Sequence, residues 1–267
     1  MSHSSPDRFI AVLGASGVGL ARRQGSTQQW LGSVAFIAER SQACSVALDT
    51  LHGLLTAHST RGASLNLVVS AQFCRFCLVP WSAEISRTPE LQAYAQACFE
   101  EHYGQRLEDW RILLSAEPAG CARIAAALPE ALLQRVSTLS HDAGLVLRSV
   151  QPYLMTAFNY FVGEFEHPDF LFVLAEPQRS VSMLARAGRW VQVRAQAGAD
   201  SDEALRALFA RECELQAGQG EATLHLCLHA PGRVQTRPTL DTVALCELPA
   251  ADAAVHDVLC CMSQAVV

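Results

Sequence analysis

Hydrophobic and polar positions divide the chain into short strand-like and helix-like segments. Apolar runs at Arg8–Leu13, Val18–Arg23 and Trp30–Ala38, separated by a glycine turn and by Gly25-Ser26, predict three strands joined by tight turns. Val46, Leu48, Leu51, Leu54 and Leu55 then form a helical stripe that stops in the polar stretch from Ser59 to Ser64. Leu65–Val69 is continuously apolar, as a buried strand is, and Phe73–Val79 predicts another strand ending at Pro80-Trp81. Thr88 as cap, Pro89 in the first turn, an apolar face of Leu91, Tyr94, Ala95 and Cys98, and Gly104 as stop define a helix. Strand-like runs at Arg111–Leu114 and Arg123–Leu128 flank a turn at Pro118 to Gly120. A helix from Pro129 to Gly144, a strand at Leu145–Val150 and a helix from Pro152 follow.

After Glu164 to Pro168 the opening pattern returns. Phe170–Ala175, Val181–Arg186 and Trp190–Ala195 read as three strands, and Asp200-Ser201 caps a helix carrying Leu205, Leu208, Phe209 and Cys213. Leu224–His229 and Thr242–Leu248 are further strands, and Val255, Val258, Leu259 and Met262 space a closing helix. The expected class is therefore α/β, with three strands, a helix, a strand, then strand and helix occurring twice. The first half covers residues 1–160 with an inserted α+β subdomain at about 72–128, and the second, shorter half covers 161–267.

Composition narrows the chemistry. Of 267 residues, 50% are hydrophobic and 17% charged, so the chain can bury a core. The net charge is −6 with no basic run longer than Arg22-Arg23, which disfavours nucleic acid as a partner. All 20 basic residues are arginine; lysine is absent. That removes phosphate-binding lysines, Schiff bases and pyridoxal attachment. The polar stretch Met1 to Phe9 and the lack of an 18-residue apolar span predict a cytoplasmic chain with no direct membrane span. The 10 cysteines lie mostly in apolar runs and read as free, buried thiols.

The glycine loop Gly14-Ala15-Ser16-Gly17-Val18-Gly19-Leu20-Ala21 has the outline of a P-loop, but Leu20 fills the lysine place and Ala21 the hydroxyl place. It also fails as a nucleophile elbow, because Val18 stands where the second glycine belongs. Cys74-x-x-Cys77 on a strand sends its thiols to opposite faces, and no second pair completes a zinc ribbon. His225 and His229 share a strand face without a third ligand in view and read as partly buried, hydrogen-bonded histidines. Glu100, Glu101, Glu108 and Asp109 read as solvated surface acids. No metal site is expected. A cysteine-nucleophile enzyme is a further alternative, which one hyper-reactive thiol would reveal.

From Leu78-Val79-Pro80-Trp81, through Phe99-Glu100-Glu101-His102-Tyr103-Gly104 and Asp109-Trp110, to Gly144-Leu145 and Ser149-Val150-Gln151-Pro152, the chain resembles the PilM-type proteins of type IV pilus assembly. It is similar, too, to the cytoplasmic domain of GspL-type components of type II secretion. The resemblance implies an actin-like (RNase H-like) fold of two halves around a cleft, with a small domain inserted in the first. In nucleotide-binding members an acid and glycines on each opening hairpin wrap phosphates and magnesium. Here the first hairpin, at Gly14, Ala15 and Ser16, has Val12 in the acid's place. The second, at Glu176, Gln178 and Ser180, has Val173 for the acid, Ala175 for the first glycine and Pro177 in the turn. The adenosine loop His229-Ala230-Pro231-Gly232 keeps only Gly232. Magnesium wants oxygen ligands, and the family's positions offer none. The resemblance so implies a cofactor-free scaffold without catalytic residues. Its partner would be the short tail of a membrane-anchored, PilN-like platform protein, held in a groove involving the inserted domain. The alternative is a divergent ATPase holding ATP and Mg through Gly14, Ser16 and the second hairpin's backbone.

Overall fold

The computed structural model describes residues 7–39, 41–58, 61–198, 201–216, 224–232, 245–248 and 257–266. Three strands, β1 (Arg8–Leu13), β2 (Gly17–Gln24) and β3 (Thr27–Ala35), form an antiparallel meander, followed by helix α1 (Ala43–His58). Strand β4 (Ser64–Val69) pairs in parallel with β1, Arg8 opposite Ser64 and Leu13 opposite Val69. After an excursion, α3 (Glu130–Asp142) leads to β8 (Val146–Pro152) and then to α4 (Tyr153–Phe161). The first sheet has the order β3-β2-β1-β4-β8.

The second sheet repeats that order. Strands β9 (Phe170–Glu176), β10 (Arg179–Arg186) and β11 (Arg189–Ala197) make the meander, α5 (Asp202–Gln216) follows, and β12 (His225–His229) lies parallel to β9. The edge strand β13 (Leu245–Glu247) completes β11-β10-β9-β12-β13. The architectural echo seen in the hydrophobic pattern is thus a repeat of topology. Thr242, Asp200 and Val255, placed in elements by the sequence, lie outside the described residues.

Alternation explains how one core serves both sheets. Leu171, Val173, Leu184, Leu226 and Leu228 point to the side covered by Leu205, Leu208 and Phe209 of α5. Their neighbours Phe170, Phe172, Leu174, Val181 and Met183 point the other way, into a core shared with Phe9, Leu13, Leu67 and Leu154 of the first half. On α1, Ala47, Leu48, Leu51 and Leu55 recur at helical spacing and are buried; each leucine contributes about 2 kcal/mol by leaving water.

The excursion contains β5 (Arg75–Val79), α2 (Thr88–Tyr103), β6 (Trp110–Leu114) and β7 (Arg123–Pro129), the strands forming a separate antiparallel sheet in the order β5-β7-β6. Cys77, Val79, Ala125 and Ala127 pack under Ala95 and Phe99 of α2, while Phe76, Ile124, Ala126 and Leu128 join the shared core. The strand expected to begin at Phe73 starts two residues later. Ala71–Phe73 is instead a 3-10 turn, capped by Ser70, whose hydroxyl accepts from the Gln72 N–H. The cap of α2 is Arg87 rather than Thr88: the Glu90 carboxylate reaches back to accept from the Ser86 and Arg87 N–H groups. Gly104 ends α2 in the left-handed region at φ 66°, as its position suggested. The last helix, α6 (Val258–Gln264), lies across β1, β2 and β3 of the first sheet. Among the described residues no helix is long and apolar enough to cross a membrane.

Candidate functional site

The two opening hairpins meet at the junction of the halves. In the first, the Gly14 N–H donates to the Gly17 carbonyl at 2.9 Å, leaving Ala15 and Ser16 at the tip, Ser16 exposed. In the second, Pro177 and Gln178 form the turn, with Gln178 exposed at φ 64°. The Ser70 N–H donates to the Leu13 carbonyl at 2.8 Å, and the next N–H, of Ala71, donates to Glu176 Oε1 at 2.9 Å. One short turn therefore ties the base of each hairpin to the other.

Glu176 sits at the center of this tie and is 2% exposed. Burial raises its pKa to about 7, against the lowering effects of the Ser70 hydroxyl, the Ala71 N–H and the Arg179 guanidinium. Its oxygens point inward to backbone rather than toward the hairpin tips. Ser180 does not line the tip either: it is fully buried on β10, and among the described residues its hydroxyl has no hydrogen-bond partner. Val12 and Val173, in the places an acid would take, are fully buried strand residues.

The hairpin glycines answer to a different need. A Cβ on Gly14 would overlap Leu259 Cδ2, and one on Gly19 would overlap the Trp30 ring and come within 3.1 Å of Leu259 Cβ. A Cβ on Gly17 would lie 3.2 Å from Leu259 Cδ1. Gly232, at φ 73°, is pressed against the first residue of the same helix, where a Cβ would lie 2.9 Å from Val258 Cα. The glycines of the first hairpin and Gly232 thus make room for α6. Asp257 fixes that helix: its carboxylate accepts from the Leu259 N–H at 2.9 Å and from the Ser33 hydroxyl at 3.0 Å.

Beside the junction, His229 Nδ1 donates to the Leu248 carbonyl at 2.8 Å, so Nε2 accepts the Tyr153 hydroxyl proton at 2.6 Å. Burial lowers the His229 pKa to about 4 and pushes that of Tyr153 well above its usual range, with the Glu176 and Cys261 charges adding to the latter. This neutral pair is closed to solvent and links α4 to β12. The hydrogen-bonded histidine expected from the sequence is therefore His229. His225 differs: it shares its face with Cys227, and Cys246 lies opposite Cys227 on β13. Sequence reasoning missed that trio because 18 residues separate the partners and only the β12–β13 register unites them.

The other sequence candidates separate. Cys74 lies in the shared core and Cys77 under α2, in different packing clusters. Burial raises the pKa of Cys44, Cys74, Cys77, Cys98, Cys213 and Cys227, which withholds the thiolate a nucleophile needs. Glu101, Glu108 and Asp109 are exposed, and Glu100 accepts from Gln96 Nε2 on its own helix. A polar pocket of about 630 Å³ opens elsewhere, between the ends of β4, β8, α4 and α6, with Arg8, Arg148, Asn66 and Asn159 among its walls.

The repeated strand order, the inserted sheet and the paired hairpins define the actin-like fold, and solved structures agree. The chain is similar to the cytoplasmic domain of EpsL, an inner-membrane component of the type II secretion system of Vibrio cholerae. The TM-score is 0.62 at 13% identity, over 97% of this chain and 94% of that one. A Bacteroides thetaiotaomicron protein with an actin-like ATPase fold and unknown function matches with TM-score 0.58 at 10% identity, over 88% and 86%. A PilM–PilN type IV pilus biogenesis complex aligns at TM-score 0.49 and 14% identity, over 84% and 80%. No family model and no curated protein matches by sequence.

Proposed function

We propose that this chain is a non-catalytic actin-like scaffold, which grips a protein partner within a secretion-like or pilus-like assembly and does not turn over nucleotide. The observation that carries this reading is the seat of α6. Leu259 rests on the three hairpin glycines and Val258 on Gly232, so the surfaces where the fold places phosphate and adenosine are already in contact with the chain's own helix. Glu176, the acid of the second hairpin, is committed to the Ala71 N–H. With no lysine in the chain and with Val12 and Val173 in the places an acid would take, a triphosphate and its magnesium lack their usual partners.

The assembly role is supported by the likeness to the EpsL domain. On this reading the chain works at the cytoplasmic face of a membrane and reaches it through a partner's tail. The surface to test is the inserted unit, where Trp81 at the end of β5 and Leu113 on the edge strand β6 are about half exposed. Calorimetric titration with Mg-ATP is expected to give no heat of binding and no phosphate release. Micromolar binding or turnover abolished by Ser16→Arg overturns the scaffold in favor of a divergent ATPase. Co-purification with membrane proteins encoded beside it tests the second limb. Capture lost in Trp81→Ala or Leu113→Arg supports the tail-binding role, and no capture by the wild type refutes it.

A further inference from the structure

The second sheet carries a constellation that the scaffold reading does not use. His225 and Cys227 stand two residues apart on β12, so their side chains leave the same face. In the parallel ladder Cys246 of β13 pairs with Cys227, which places its thiol on that face as well. The ligating atoms of all three lie within 4.8 Å of one another. Cys227 Sγ is 3.6 Å from His225 Nδ1. Tetrahedral zinc, with bonds of about 2.3 Å to sulfur and about 2.05 Å to nitrogen, holds such a pair about 3.6 Å apart. The observed gap therefore matches what the ion needs from the two β12 ligands, and Cys246 lies within 4.8 Å of both.

A fourth donor stands beside the trio. His167, exposed just before β9, sets its ring edge to face with His225 at a centroid distance of 5.1 Å. The geometry points to a structural zinc site formed by His225, Cys227 and Cys246, with His167, whose ring must turn to bring a nitrogen in, as the side chain at hand for the fourth position. Two thiolates and imidazole nitrogen suit zinc over magnesium or calcium, which take oxygen. Binding replaces the two thiol protons, which pass to solvent, so no oxidant or reductant is required.

The position gives the ion a task. Among the described residues β13 is an edge strand that pairs with β12 over three residues, Leu245 to Glu247. So short a parallel ladder is weak, and a metal bonded to both strands joins them. The site lies at the Phe170 end of β9, the far end of that strand from the second hairpin, and in a different sheet from the first hairpin and the inserted unit, so it stands or falls independently of the scaffold role.

The test uses untagged full-length protein, exchanged into cobalt(II) and then titrated with zinc. The expected result is one cobalt per chain, with tetrahedral visible bands and thiolate-to-cobalt charge transfer that zinc abolishes. Cys246→Ser and His225→Ala should each lose this spectrum while keeping the wild-type far-ultraviolet circular dichroism. The proposal is overturned if the wild type takes up no more metal than Cys246→Ser, or if its intact mass shows a Cys227–Cys246 disulfide. Should a variant fail to fold, the wild-type spectrum decides alone: no thiolate charge transfer refutes the site.

Discussion

Replacing Glu176 by glutamine tests whether a carboxyl group is truly locked between the two hairpins. The amide keeps an oxygen for the Ala71 N–H but cannot ionise. In the folded protein burial raises the Glu176 pKa from 4.5 to about 7. Because the folded state holds this proton more tightly, the carboxyl's contribution to stability is complete below about pH 4.5 and is lost as pH rises through about 7. At about 1.4 kcal/mol per pH unit, the ionised carboxylate costs roughly 3 kcal/mol. His229 acts in the opposite sense: with its pKa lowered from 6.5 to about 4, its contribution is present above pH 6.5 and lost as pH falls through about 4. The two nearly cancel in the wild type, so the informative quantity is the difference between Glu176→Gln and wild type. Urea unfolding followed by tryptophan fluorescence from about pH 4 to about pH 8 should show that difference growing by roughly 3 kcal/mol in favor of Glu176→Gln. A difference that stays level across the range means that the carboxylate is solvated and the hairpins are not tied as described.

The buried Glu212 side chain receives Arg194, Arg211 and Gln192. Glu212→Ala should lower stability by about 2 kcal/mol in denaturant unfolding, through the lost hydrogen bonds and the space left at a buried site, while Arg194 and Arg211 stay solvated. Ala187 holds φ 49° in the turn before Gly188, so Ala187→Asn, creating an Asn-Gly turn, should raise stability by about 0.5 to 1 kcal/mol by calorimetry. Asp257→Ala removes the cap of α6 and should cost about 1 kcal/mol, read as a lower midpoint in urea. Gly14→Ala alone should cost about 1 to 3 kcal/mol by driving a methyl into Leu259, while the double variant with Leu259→Ala should be less destabilised than the sum by about 1 kcal/mol.

Much of the fold was legible because its elements carry strong local signals. The meanders announced themselves through glycine turns, α2 through Pro89 and Gly104, and the buried parallel strands β4 and β9 through unbroken apolar runs. Where the reading slipped, a tertiary bond decided. Phe73 looked like strand, but Ser70 and Glu176 hold residues 70–72 in a turn, and Glu176 lies 105 positions from Ala71. The zinc-ligand trio was illegible for the same reason: β12 shows an alternating His-x-Cys, but only its register with β13 brings Cys246 alongside.

The glycine hairpin shows why motif and site part company. Glycine is required wherever another group must approach the backbone closely, and the sequence records that requirement without recording the visitor. A phosphate needs such an approach, and so does a leucine from a helix laid across the strand. What separates the cases is the company the glycines keep. A phosphate site needs cationic or acid-bound magnesium partners, and the chain has leucine, alanine and valine at those positions. A helix seat needs an apolar side chain of the right reach, and Leu259 supplies it. If Leu259 alone dictates Gly14, shortening Leu259 must restore tolerance to a methyl there; if a bound phosphate dictates it, shortening Leu259 must leave Gly14→Ala as damaging as before.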